Sequence, residues 1–163
     1  MYSFKRILVP SDFSESSSKA LGVAMSMAVR FDSHLFLLHV EQGGPSAKAW
    51  MTNEAAKAEM DALEEDERRL FDAYQATSKA VEEETGMTPI PRSQLHFRVS
   101  GGDVAPCILQ AAEDAQIDLI VMGTQGRTSV KDFFIGSTTE RVIQRATCSV
   151  LAVKPDGYPF LRE

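Results

Sequence analysis

Two short polar segments near the end of the chain contain the residue types that bind anions. Gly123-Thr124-Gln125-Gly126 directly follows an apolar run, and Gly136-Ser137-Thr138-Thr139-Glu140 comes after nine further residues. Glycines let backbone amides approach an anion without an intervening Cβ. The hydroxyls of Ser137, Thr138 and Thr139 would add donors, and Arg127 could add positive charge. Together these segments have the outline of a phosphate-binding site.

Ser137 and Glu140 have the S-x-x-E spacing of a capping box. This spacing predicts a helix that Ser137 caps, with free N–H groups and the positive end of the helix dipole directed outward. An ordinary glycine turn followed by an ordinary helix cap would have the same spacing. Position favours a ligand site, because ligands of open parallel sheets bind outside the carboxyl ends of the strands. Pro10-Ser11-Asp12, which follows the first predicted strand, lies at the same edge.

Apolar runs of strand length alternate with segments of helical periodicity along the chain. This alternation predicts β-α-β-α-β-α-β-α-β, an open five-stranded parallel sheet with helices on both faces. The predicted strands are 5–10, 35–40, 95–99, 117–122 and 149–153, and the predicted helices are 14–31, about 60–85, 103–115 and 137–146. Ser14 is expected to cap the first helix, Gly86 to end the long charged one, and 42–52 to be loop.

Strand 95–99 alternates apolar with polar residues, which is typical of a strand with one wet face, so we expect it at an edge of the sheet. The last strand, 149–153, is apolar on both faces, which is unfavourable for an exposed edge. We therefore predict that a second copy of the chain covers it and that the protein is a homodimer.

Composition narrows the class of protein. The 163 residues, 44% hydrophobic and 25% charged, predict one compact domain over 1–155 with a short tail at 156–163. The net charge of −6 and the lack of Lys/Arg clusters argue against nucleic acid as a partner. The apolar runs are too short for a secretory signal or a membrane span, so we expect a cytoplasmic protein without a membrane partner.

The cysteines and histidines do not have the spacing of a metal site. Cys107 and Cys148 lie in apolar patterns, which predicts small buried residues rather than a disulfide. His34, His39 and His96 are spaced irregularly, and none is near the glycine segments in sequence.

Several segments resemble the universal stress protein family. Residues 7–15, ILVPSDFSE, are similar to the opening of these proteins, and residues 118–123, DLIVMG, to their fourth strand. From Gly123 to Ser137 the chain has the pattern G-x2-G-x9-G-S, which resembles the ATP-binding branch of the family. The similarity extends over nearly the whole chain. It implies a Rossmann-like sheet of the adenine nucleotide alpha hydrolase type, with strand order 3-2-1-4-5, and a dimer formed through the last strand.

The resemblance also implies a nucleotide site. Pro10, Ser11 and Asp12 would lie beside the adenine, the ribose and the metal-bound end of the nucleotide, and the backbone of Val40 would meet the adenine edge. The implied phosphate set is Met122, Gly123, Gly126, Gly136, Ser137, Thr138 and Thr139. Thr124 and Arg127, in the same segment, are further candidates for nucleotide binding. The implied ligand is ATP, ADP or AMP with Mg²⁺, which Asp12 would hold through the nucleotide. Asp12 could instead cap the first helix, and Arg127 could be a solvated loop charge.

The chain lacks the sequence motifs of the other common nucleotide-binding proteins. The chain contains no G-x-x-x-x-G-K-[ST] segment and no G-x-G-x-x-G after the first strand. A phospho-accepting receiver would need paired acids after strand one, where Asp12 stands alone. We find no triad-like spacing and no base beside the glycines. The expected function is a stress-response or regulatory module that binds ATP; a slow ATP hydrolase and a dimerisation module without nucleotide are the alternatives.

Overall fold

The computed structural model describes residues 3–43, 50–52, 65–125 and 135–155. Its strands are β1 Arg6–Ser11, β2 His34–Glu41, β3 Met51–Thr52, β4 Leu95–Gly101, β5 Leu119–Gly123 and β6 Ser149–Val153. Its helices are α1 Glu15–Phe31, α2 Glu65–Thr85, α3 Val104–Asp114 and α4 Ser137–Arg145, with a 3₁₀ turn at Arg92–Gln94. Each predicted strand lies within two residues of an observed one.

The strands form one sheet in the order β3-β4-β2-β1-β5-β6. All neighbours are parallel except β3, which pairs antiparallel with β4. The five parallel strands therefore have the predicted order 3-2-1-4-5. This order places β1 at the centre, where the connections to β2 and β5 leave toward opposite sides.

Two hydrophobic cores cover the two faces of the sheet, as predicted. On one face α1 and α2 pack against β1 and β2, with Ala24, Leu70 and Tyr74 among the buried residues. On the other face α3 and α4 contribute Ile108 and Val142. Adjacent residues of a strand point to opposite faces, so each central strand supplies both cores. This explains the continuous apolar runs of β2 and β5.

One expectation about the sheet edge is wrong. The segment 42–52 is not all loop, because Met51 and Thr52 pair with Phe97 and His96 and cover the free side of β4. The preceding Trp50 anchors this segment, since its ring meets that of Phe36 edge-on at 5.1 Å. A two-residue strand is too short to show a periodicity in sequence, whereas pairing at an otherwise open edge satisfies backbone groups.

The helix ends follow the local sequence. Ser14 is the N-cap of α1, and its hydroxyl accepts a hydrogen bond from the Ser17 amide. Gly86 follows α2 with φ +66°, a left-handed conformation that glycine adopts without strain. Both predictions are confirmed. Among the described residues, no helix is long and apolar enough to cross a bilayer.

The prediction of buried cysteines is wrong. Cys107 and Cys148 are free thiols with intermediate exposure. Cys107 lies in α3 and Cys148 directly precedes β6. Partial burial still raises the pKa of each thiol.

Candidate functional site

A cleft of about 410 Å³ opens at the carboxyl ends of β1, β2 and β5. Its volume lies within the range of roughly 300–1,000 Å³ that is usual for small-molecule sites. Ten of the residues predicted from sequence line it: Pro10, Ser11, Asp12, Val40, Met122, Gly123, Gly136, Ser137, Thr138 and Thr139. The structure therefore brings together segments from both halves of the chain.

Thr124 is the one predicted site residue, among those the structure describes, that does not line the cleft. It is buried behind the cleft. Its amide donates to the Val153 carbonyl at 3.1 Å, and its carbonyl accepts from the Gly136 amide at 2.7 Å. Thr124 thus joins the end of β5 to β6 and to the start of α4. Gly126 and Arg127 lie outside the described residues.

The predicted capping box at Ser137 is wrong. The N-cap of α4 is Gly136, which has no side chain with which to cap the first turn, and Ser137 is the first helical residue. Glu140 does not reach back, because its carboxylate accepts a hydrogen bond from Gln144 at 3.2 Å. A tertiary contact explains the difference, because the hydrogen bond from the Gly136 amide to the Thr124 carbonyl fixes the residue at which the helix begins. The Ser137 side chain is left exposed at the mouth of the cleft.

The first turn of α4 presents its positive end to the cleft. The first N–H groups of a helix have no partner within the helix, and here Gly136, Ser137 and Thr138 surround that position. Thr139 differs from them, because its hydroxyl donates to the Gly123 carbonyl at 2.9 Å. Its role is to hold α4 against the end of β5.

Gly123 allows a close approach between β5 and α1. A Cβ at this position would lie 3.0 Å from both the Cβ and the carbonyl oxygen of Ser16 and closer still to its hydroxyl. Real Cβ atoms do not come so near their neighbours. Glycine is thus required here for packing, a reason that is separate from any contact with phosphate.

Side chains of the β1–α1 loop bond to its own backbone. The Asp12 carboxylate accepts a hydrogen bond from the Ser14 amide at 3.0 Å, and the Ser11 hydroxyl accepts one from the Phe13 amide at 3.2 Å. Phe13 itself has φ +62°, which is unusual for a bulky residue. The alternative that Asp12 supports the start of α1 is therefore correct in part, and Asp12 still lines the cleft.

Sequence reasoning missed the apolar wall of the cleft. Leu38, Val104 and Ile108 line it together with Met122. Val104 and Ile108 are four residues apart in the first turns of α3, so they share one face of that helix. That spacing, directly after the end of a strand, is the signal that could have identified them.

An ion pair joins the two helices that border the cleft. Arg141 of α4 donates two hydrogen bonds, of 3.2 and 2.9 Å, to the carboxylate of Asp103, the N-cap of α3. The bond from Arg141 lowers the pKa of Asp103 below its ordinary value. A bidentate pair of this kind fixes direction as well as distance.

A histidine also lies in the cleft, contrary to expectation. His39 is buried among the lining residues, with Nδ1 2.8 Å from the carbonyl oxygen of Ser11. Ser17, Glu41, Gln42 and Gln125 line the cleft as well. His39 is distant from the glycine segments in sequence, and only the parallel pairing of β1 with β2 brings it near them.

Comparison with known proteins places this architecture in one group. The profile of the universal stress protein family matches residues 3–154. A universal stress protein of Methanocaldococcus jannaschii is 32% identical over 158 residues, covering 93% of this chain and 82% of that protein. The structure of a universal stress protein from Lactobacillus plantarum superposes with a TM-score of 0.68 at 26% identity, covering 94% of this chain and 99% of that one.

A second similar structure, a universal stress protein in complex with cAMP, has a TM-score of 0.60 and covers 94% of this chain and 98% of its own. At 20% identity it shares the fold, and the bound cAMP is a property of that protein.

Proposed function

The chain belongs to the universal stress protein family, and we propose that it is a regulatory module of the stress response that binds ATP in the cleft at the carboxyl ends of its strands. One observation carries the proposal: a single cleft joins an apolar wall on α3 to the uncapped N-terminus of α4. A nucleotide has the complementary pair of ends, a flat apolar base and a polyanionic tail.

The apolar wall suits the base. Leu38 and Ile108 are almost fully buried, and Val104 is half-buried, so the wall is rigid and partly solvent-facing. A planar base that covers such a wall removes apolar surface from water at about 25 cal/mol per Å². The backbone of Val40, at the end of β2, is the proposed contact for the base edge.

The first turn of α4 suits the phosphates. Its unpartnered N–H groups and helix dipole favour negative charge, and the exposed Ser137 hydroxyl adds a donor. The bond between Thr124 and Gly136 and that between Thr139 and Gly123 hold this turn rigidly beside β5. A preorganised donor set of this kind binds an anion without first having to be ordered.

Asp12 suits a magnesium ion carried by the nucleotide. Mg²⁺ is commonly held by one or two carboxylates together with substrate phosphates, and Asp12 places one carboxylate in the cleft. When bound, the ion would neutralise part of the phosphate charge. Asp12 would hold it, while the Ser14 amide keeps the carboxylate oriented.

The same contacts support binding more than turnover. Asp12, His39 and Glu41 are the candidates for a base among the described residues that line the cleft, and Glu41 lies next to Val40, at the proposed base-edge contact rather than at the first turn of α4. Asp12 accepts from the Ser14 amide, and Nδ1 of His39 is held by the Ser11 carbonyl. We therefore propose at most slow hydrolysis, far below the rates of roughly 1–1,000 per second typical of enzymes.

The test has two parts. Mass spectrometry of the small molecules released by heat denaturation of the purified protein should detect ATP or ADP. A phosphate-release assay with added Mg²⁺ should then give a turnover far below one per second. A rate near ten per second that survives repurification would favour the hydrolase, and absence of nucleotide together with no binding of added ATP would favour a module that has lost its ligand.

We further propose that the module acts as a homodimer in the cytoplasm. Leu151, at the centre of β6, is 37% exposed on a strand that has a neighbour on one side only among the described residues. A second chain pairing along β6 would cover it.

A further inference from the structure

Four side chains form a closed cluster between the β1–α1 loop and helix α2. The rings of His39 and Phe13 are in contact, with their centroids 4.4 Å apart and their planes tilted by 37°. The guanidinium of Arg69 lies over the Phe13 ring at 4.0 Å. Asp66 completes the cluster, since its carboxylate pairs with Arg69 at 3.0 Å and lies 3.8 Å from Nε2 of His39.

The cluster is bonded directly to the cleft through His39. A carbonyl oxygen can only accept a hydrogen bond, so the 2.8 Å contact with Ser11 requires Nδ1 of His39 to carry the hydrogen. Ser11 and the adjacent Asp12 line the cleft. The side chain of His39 therefore bonds to the backbone at the point where β1 passes into this loop.

Phe13 shows why the loop needs such support. Its φ of +62° is unfavourable for a residue with a bulky side chain, and conformations of this kind persist only where surrounding contacts over-determine them. The contacts on its ring come from His39 on β2 and Arg69 on α2. They hold the residue that directly follows Ser11 and Asp12.

We propose that Phe13, His39, Asp66 and Arg69 act as a clamp that holds the Ser11–Asp12 loop in its ligand-binding conformation and so couples helix α2 to the nucleotide site. This inference rests on the proposed function for its ligand. Arg69 is a positioning residue, because it contacts Phe13 and Asp66 and does not line the cleft. Loss of the clamp should weaken ATP binding from a distance.

The test compares the unmodified chain with three variants, Arg69→Ala, His39→Leu and His39→Asn, and with one control. Lys79→Ala is the matched control, since it removes one positive charge from the same helix about three turns away, where Lys79 forms an exposed ion pair with Glu83 at 3.8 Å. Hydrogen exchange of residues 11–18 in the ligand-free protein reports loop order, and calorimetry with ATP and Mg²⁺ reports affinity.

We expect faster exchange of residues 11–18 in Arg69→Ala and His39→Leu, with ATP affinity lower by about two- to fivefold and about tenfold respectively. His39→Asn, whose amide nitrogen can replace Nδ1 as the donor to Ser11, should recover most of the affinity lost in His39→Leu. Lys79→Ala should match the unmodified chain in both measurements.

Unchanged exchange in Arg69→Ala and His39→Leu would overturn the clamp. Faster exchange with unchanged ATP affinity would overturn its role in binding. If the unmodified chain itself bound no ATP, the proposed function would fail, and the exchange data alone would still decide whether these residues hold the loop.

Discussion

The amide of Gly136 donates a 2.7 Å hydrogen bond to the carbonyl of Thr124. This bond joins Gly136, the N-cap residue of α4, to the residue that follows β5. Helix α4 therefore begins beside the end of the strand, and its first turn lies where the β1–α1 loop and α3 also meet. The candidate site depends on this junction more than on any single side chain.

A negative charge in the first turn of α4 should exclude a polyanion without harming the helix. Thr138→Glu places a carboxylate where the helix dipole favours it, so the melting temperature should be kept or slightly raised. ATP affinity should fall by about fivefold or more relative to Thr138→Gln, because two unit charges about 4 Å apart repel by about 1 kcal/mol even in water. Calorimetry on the two variants checks this; equal affinities would place the phosphates elsewhere.

Gly123→Ala should destabilise the fold by about 1–3 kcal/mol, because the new Cβ would overpack against Ser16. Ser16→Ala should be neutral or stabilising, since the Ser16 hydroxyl is buried without a hydrogen-bond partner among the described residues. Urea unfolding of both variants gives the two free energies. A Gly123→Ala protein as stable as the unmodified chain would show that α1 can shift away.

Stability should fall on acidification through the titration of His96. Burial, with smaller contributions from His34 and Arg6, lowers its pKa from 6.5 to about 4. Between these values the unfolded chain binds the proton and the folded chain does not. The contribution of His96 to the free energy of unfolding is therefore fully present above pH 6.5 and is lost progressively as the pH falls toward 4.

His96→Phe removes the titration and keeps a ring that can stack on Phe36, as His96 does at 4.3 Å. The free energy of unfolding of this variant should depend less on pH between 6.5 and 4 than that of the unmodified chain. Identical slopes in urea titrations at several pH values would assign the acid sensitivity to other groups.

Leu151→Lys should convert a dimer to a monomer, because it places a charge at the centre of the exposed edge of β6. Light scattering at micromolar concentration should give the mass of two chains for the unmodified protein and of one chain for the variant. Ile143→Lys, which alters an exposed apolar residue on α4 instead, is the control and should stay dimeric. A monomeric unmodified protein would contradict the proposed assembly.

The parallel strands could be predicted from sequence because each is a separate apolar run between helical segments. The two residues of β3 could not, since pairing with β4 rather than periodicity defines them. The start of α4 was misplaced by one residue for a related reason: S-x-x-E spacing is the same whether Ser137 caps the helix or begins it. Only the hydrogen bond from Gly136 to Thr124 decides between the two.

Part of the candidate site could likewise be predicted from the sequence, and part of it could not. Residues next to a strand end, such as Ser11 and Gly123, could be predicted, because the order of strands and helices places them at the carboxyl edge of the sheet. His39 lies within an apolar strand, and its contact with the Ser11 carbonyl arises from the register of β1 and β2. Tertiary register of this kind leaves no local signal in the sequence.

The most direct test of the central claim is isothermal titration calorimetry of ATP with Mg²⁺ into the unmodified chain after copurified nucleotide has been removed. The account predicts saturable binding of one ATP per chain, weakened in Thr138→Glu and kept in Thr138→Gln. No heat of binding to a folded, nucleotide-free protein would contradict it.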